Sequence, residues 1–222
     1  MAMPSNQSTD FSTAHRISAS IIVALGLAAT ALGQANDPAK PLVAKTPRVP
    51  AIGIDLAADA RTQLREQTDA LGQEIDALAR QYAKTPPLLR YLPDIQIYHK
   101  AVDWALRHQI FFKQSELKTA RELLATGSER ATQLARGRTP WTRATGLVVR
   151  GYVSRLDDSV QPYGLVIPQS VSTDPWRKRR LDVWLHGRDN KLSELKFIHQ
   201  RSTNAGQFTP RDTIVLHPYG RF

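Results

Sequence analysis

The sequence predicts a protein of the α+β to α/β class. A helical block over residues 55–138 is followed, over 139–222, by a β-hairpin and the first strands of a mixed α/β sheet. Three observations carry this expectation. Apolar residues recur at helical spacing from Asp55 to Ala135. The period shortens from 3.6 to 2 residues at Gly137-Arg-Thr-Pro-Trp141. Beyond the hairpin the pattern runs strand, helix, strand, which is the unit from which mixed sheets are built.

In the first predicted helix, Asp55 stands where an N-cap belongs. Leu64, Leu71, Ile75, Leu78 and Tyr82 then fall on one face. Thr85-Pro-Pro87 stops it, because proline has no N–H and clashes with the preceding turn. Leu92-Pro-Asp94 opens the second helix with Asp94 as its expected cap, and Ile97, Ala101, Val102, Ala105 and Leu106 form its inner face. The third, from Ser115 to Ala135, turns Leu117, Ala120, Leu124, Ala131 and Leu134 inward. Short connections predict an antiparallel helical hairpin with an extra arm. His99, Trp104 and His108 lie in this block and read as packing or surface residues.

Thr145 to Val153 alternates and is rich in β-branched residues. Asp157-Asp-Ser159 is a turn cluster, and Tyr163 to Ile167 is the returning strand, stopped by Pro168. A basic loop spans 172–180. Leu181 to Leu185 reads as a buried strand that runs into a turn at His186-Gly187. A helix over 192–201 and a strand from Thr213 to Leu216 complete the pattern. On this reading the last strand lies at a sheet edge with its ladder groups unpaired, and the sheet is incomplete.

Ahead of the helices, residues 1–35 have the layout of a secretory signal. His15 and Arg16 are basic, Ile17 to Leu32 is apolar and small, and cleavage is expected near Gly33 or Ala35. The expected location is therefore secreted or periplasmic, with no stable membrane span after cleavage. Residues 36–54 carry Pro38, Pro41, Pro47 and Pro50 and read as an extended linker.

The 222 residues are 41% hydrophobic and 23% charged, a globular balance. The net charge of +10 is uneven: 14 basic and 7 acidic residues give +7 over 137–222, against +1 over 55–136. The absence of cysteine excludes disulfides and thiolate metal sites, and no two histidines have H-x-x-x-H spacing. No metal or cofactor is expected. Arg177-Lys-Arg-Arg180 is a solvated loop, without the aromatic pattern of an RNA-binding strand, so nucleic acid is not an expected partner.

A strand ending in His186-Gly187 before polar residues and a helix suits the oxyanion loop of an α/β hydrolase. There, backbone N–H groups after such a strand point at the oxygen on which charge develops in acyl transfer. Glycine lets the backbone approach the reacting carbonyl. Leu92 to Leu106, Thr139-Pro-Trp141, Val149-Arg-Gly-Tyr152, Asp158 to Leu165, Leu181 to Asn190, Leu192-Ser-Glu-Leu195 and Leu216-His-Pro-Tyr-Gly-Arg-Phe222 extend this. Taken in order, these segments resemble the N-terminal half of exported serine hydrolases of the prolyl-oligopeptidase-like type.

The resemblance implies an incomplete α/β-hydrolase sheet, a peptide or ester substrate and a Ser-Asp-His triad in the full-length protein. It implies that His186, Gly187 and Arg188 form the oxyanion loop, with the Arg188 N–H as donor and Asp189 bracing the turn. It places His217 and Tyr219 on the site wall, and gives Gln161-Pro-Tyr163 a structural role at a strand entry. No glycine is followed by another four residues later, so the chain has no G-x-S-x-G nucleophile elbow. The fragment is expected to be inactive. The other reading is a non-catalytic exported binding or adaptor module that uses its basic face.

Overall fold

The computed structural model describes residues 51–187 and 189–220. The expected signal segment and most of the linker lie outside the described residues. Lys45–Phe222 is one compact unit. Its elements are mixed: six helices, a short 3-10 turn and one four-stranded sheet among the described residues.

Helix α1 spans Ala58–Tyr82, and its five expected apolar positions are all buried. Asp55 is not its cap; the helix begins after Ala57, with no side-chain cap bond. Residues 53 and 54, assigned to the linker, are instead docked. The Gly53 and Ile54 N–H groups donate to Gln109 O and Phe111 O. A Cβ on Gly53 would lie 2.1 Å from Phe111 O, so only glycine allows this approach.

A single turn, α2 (Pro86–Leu89), leads into α3 (Pro93–His108). Asp94 is not a cap either. Pro93 takes the first helical position, where its missing N–H costs nothing, and Asp94 sits inside the first turn, fully buried. Gln109 in the left-handed conformation ends the helix. Helix α4 (Glu116–Ala135) returns alongside, with all five expected positions buried. A Cβ on Gly127 would come within 2.6 Å of Leu71 Cδ2 and 3.2 Å of Tyr98 Cβ, so this glycine sets how closely α4 crosses α1 and α3. The Tyr82 hydroxyl donates to Leu134 O at 2.7 Å and satisfies a terminal carbonyl of α4.

The 3-10 turn Pro140–Thr142 carries buried Trp141 into strand β1 (Gly146–Val153). Strands β2 (Val160–Ile167), β3 (Leu181–Val183) and β4 (Ile214–Pro218) follow, with a one-turn helix α5 (Ser170–Thr173) before β3 and α6 (Glu194–Thr203) before β4. The order is β1-β2-β4-β3. β1 and β2 form the expected antiparallel hairpin, β2 pairs antiparallel with β4, and β3 pairs parallel with β4. Two strand expectations are corrected by this order. β4 is an inner strand, paired on both sides. The segment expected to be a buried strand is a short edge strand, with Leu181, Val183 and Leu185 56%, 57% and 74% exposed. The register pairs Asp182, not an apolar residue, with buried Val215, while Leu181 and Val183 fall beside Ile214 and Leu216 on the open face.

The register decides which face is which. Val149 and Gly164 are opposite, as are Gly164 and His217. A Cβ on Gly151 would meet Pro93 O and Ile97, and one on Gly164 would meet Arg201, so α3 and α6 both cover this face. The other face carries Leu165, Ile167, Ile214 and Leu216, each half-exposed, beside Leu181 and Val183. Pro162 is tolerated inside β2 because it precedes the pairing with β4, and its carbonyl accepts the Tyr219 N–H.

The helical and sheet segments share one core. Leu71, Ile97, Val102, Leu134, Val149, Leu195 and Ile198 belong to the same buried cluster. The expected boundary at 138/139 marks a change of secondary structure, and packing continues across it.

Candidate functional site

The expected oxyanion loop leaves the carboxyl end of β3 and enters α6. Its shape is set by His186. The Gly220 N–H donates to His186 Nε2 at 2.9 Å, so that nitrogen is the acceptor and the proton resides on Nδ1, which bonds Gly187 O at 2.8 Å. One neutral ring thereby ties the loop after β3 to the loop after β4. Both nitrogens are engaged, so His186 is a strut and not a free base. Its ring lies 6.0 Å from Phe197 and 6.3 Å from Tyr219, and those two rings are 5.0 Å apart.

Gly187 faces open space: a Cβ there would meet nothing within 4 Å. Arg188 lies outside the described residues. Asp189 braces the turn at three points. Its Oδ1 accepts the Lys191 N–H at 2.8 Å, its Oδ2 accepts Lys196 Nζ at 2.8 Å, and its carbonyl accepts the Leu192 N–H. The hydrogen bond from Lys196, then that from the Lys191 backbone, hold its carboxyl below the usual carboxylate range. Ser193 caps α6 by accepting the Lys196 N–H. The loop is therefore held at both ends.

His217 and Tyr219 are near this loop in different ways. Tyr219 packs on Phe197, and its hydroxyl donates to Leu192 O at 3.1 Å, tying β4's end to the start of α6. His217 is buried on the helix-covered face of β4, where Arg201 Nη1 lies 3.2 Å from its Nδ1. Burial, and then the Arg201 guanidinium, hold its pKa below the ordinary histidine value. Arg201 is a member of this cluster that the sequence pattern does not single out. The available signal is Gly164: its lack of a side chain opens the space that the Arg201 stem fills.

A second polar centre links the helices to the sheet. Asp94 Oδ1 accepts the Gly151 N–H at 2.7 Å, and Arg150 Nε lies 2.9 Å from both carboxylate oxygens. Trp141 Nε1 donates to Asp94 Oδ2 at 2.9 Å. Arg130 donates to Asp94 O and Val149 O, with its guanidinium stacked on Tyr98 and Trp141. Burial lowers the Arg130 pKa, the charge remaining solvated by carbonyls and rings. The geometry of these residues is that of a structural joint between helices and sheet.

A groove of about 720 Å³ lies elsewhere, lined by Asp69, Gly72, His99, Lys100 and Val160 among others. Gly72 makes room for the His99 ring, whose pKa is lowered by burial. Among the described residues there is no group of three His, Asp or Glu side chains that could hold a metal ion, and no helix long and apolar enough to cross a membrane. No family model matches the chain, and neither a curated protein nor a solved structure matches it.

Proposed function

We propose that this chain is the N-terminal portion of an exported serine hydrolase that acts on ester or peptide bonds, and that it supplies the oxyanion loop to a triad it does not itself carry. One observation carries the reading. The sheet order β1-β2-β4-β3, antiparallel at β2 and parallel between β4 and β3, is the order with which an α/β-hydrolase sheet begins. In such a sheet the loop after the third strand contributes an oxyanion N–H. Here that loop is His186–Asp189, tied by His186 to the loop after β4.

The loop's role is electrostatic. A nucleophile adds to the substrate carbonyl carbon, and the carbonyl electrons move onto oxygen. A preorganised N–H aimed at that oxygen stabilises the charge as it develops. Reading the coding frame past Phe222 for G-x-S-x-G tests the idea cheaply. The extended product is expected to hydrolyse a p-nitrophenyl ester, and the 222-residue chain to leave it intact. In the extended product, Arg188→Pro removes the donor and is expected to lower turnover roughly 10²–10³-fold, with Arg188→Ala close to unchanged. Saturable, fluorophosphonate-sensitive hydrolysis by the 222-residue chain would sink the proposal.

The second reading, a binding or adaptor module, is favoured by the +7 charge of residues 137–222. It gains ground if no nucleophile elbow follows in frame.

A further inference from the structure

We infer that the arginine-lined cavity where α4 ends is a binding site for a phosphate group, independent of the loop after β3. The cavity is about 420 Å³ and is lined by Gln133, Arg138, Thr139, Pro140, Thr142 and Arg143. Two cationic side chains line it, and no carboxylate does. Among the described residues neither Arg138 nor Arg143 forms an ion pair.

The backbone that carries the two arginines is fixed from below. Gly137, at φ +69°, closes α4: the Gly137 N–H donates to Leu134 O and the Arg138 N–H to Gln133 O. With Tyr82 also on Leu134 O, the helix's terminal carbonyls are occupied and do not present bare acceptors to an anion. On the other wall, the 3-10 turn is anchored by Trp141, buried and bonded to Asp94, and Thr142 Oγ1 donates to Thr139 O. Both arginines are therefore carried at the cavity on a fixed backbone. Fork-shaped donors on such a frame match the tetrahedral oxygens of a phosphate, and the Thr139 hydroxyl adds a neutral donor. The volume suits a small phosphorylated molecule or a phospholipid headgroup.

The test is a titration of the full 222-residue chain at fixed ionic strength, followed by backbone amide chemical shifts. Three probes are compared: glycerol phosphate, vesicles containing phosphatidylglycerol, and chloride. Arg138→Gln with Arg143→Gln is set against a charge-matched control, Arg155→Gln with Lys118→Gln, both at exposed positions. Saturable shifts at residues 137–143 with glycerol phosphate, weakened about tenfold or more in the site pair and under about threefold in the control, support a soluble ligand. Response to vesicles alone, with the same dependence on the site pair, supports a headgroup. Shifts that follow chloride, or that fall equally in both pairs, overturn the inference. Circular dichroism of both pairs guards against misfolding.

Discussion

The two edges of the sheet are treated very differently. At β1 two outward groups are occupied by side chains: Gly151 N–H by the Asp94 carboxylate and Val149 O by Arg130. At β3 the bonds from Ile214 N to Arg180 O and from Trp184 N to Leu216 O turn residues 180 and 184 toward β4. By strand alternation the backbone groups of Leu181 and Val183 face outward, and their side chains are exposed. A bare, apolar edge is a template for another strand, whereas a side-chain-capped edge is closed. The closed edge joins the sheet to the helices. The open edge borders the proposed oxyanion loop.

The strongest way to break the contrast is to open the closed edge. Asp94→Ala leaves Arg150, Trp141 Nε1 and the Gly151 N–H without their shared acceptor, and is expected to cost about 3–5 kcal/mol in urea unfolding. A loss below about 1 kcal/mol would mean that the carboxylate does not hold this edge. Next in size is Gly151→Ala. Its Cβ would fall 2.1 Å from Pro93 O, a backbone atom, so α3 must shift away, at an expected cost of about 1–3 kcal/mol. The same assay checks it, and a neutral result would show that the helix and strand separate easily.

At the open edge the expectation reverses. Val183→Lys alters stability by no more than about 0.5 kcal/mol, because the side chain is already in water. Self-association measured by light scattering should fall, since a charge blunts a pairing edge. Marked destabilisation would show that this strand is packed after all.

The smallest effect concerns pH. His99 and His217 both have folded-state pKa values lowered from 6.5, chiefly by burial. The unfolded chain therefore takes up protons first. Their contribution is fully present above pH 6.5 and declines as pH falls through the lowered folded values. His217→Gln should flatten part of that decline in urea midpoints measured from pH 7.5 downward. An unchanged slope would remove His217 from the account.

Much of the helical half is legible in sequence. Leu64, Leu71, Ile75, Leu78 and Tyr82 are buried as their spacing requires, because a 3.6-residue period leaves one face to bury. The hairpin is equally local, its strands set by alternation and its turn by Asp157-Asp-Ser159. The caps failed for a physical reason. Asp55 lies two residues ahead of Ala57, where the first helix begins, and Asp94 falls inside the first turn of its helix, where its carboxylate is taken by other partners. For Asp94 the partners are 47 to 57 residues away, at Trp141, Arg150 and Gly151.

What the sequence alone determined is thus where the long helices and the hairpin strands lie, and that a strand beginning at Leu181 precedes a helix. These depend on neighbours a few residues apart. The tertiary structure decided the rest. It placed β4 between β2 and β3, which left β3 at the edge with Leu181, Val183 and Leu185 exposed. It also turned His186 from a candidate in a loop into a strut between two loops, through a bond to Gly220, 34 residues on. Strand order and long-range hydrogen bonds depend on which surfaces meet, and no local period encodes that.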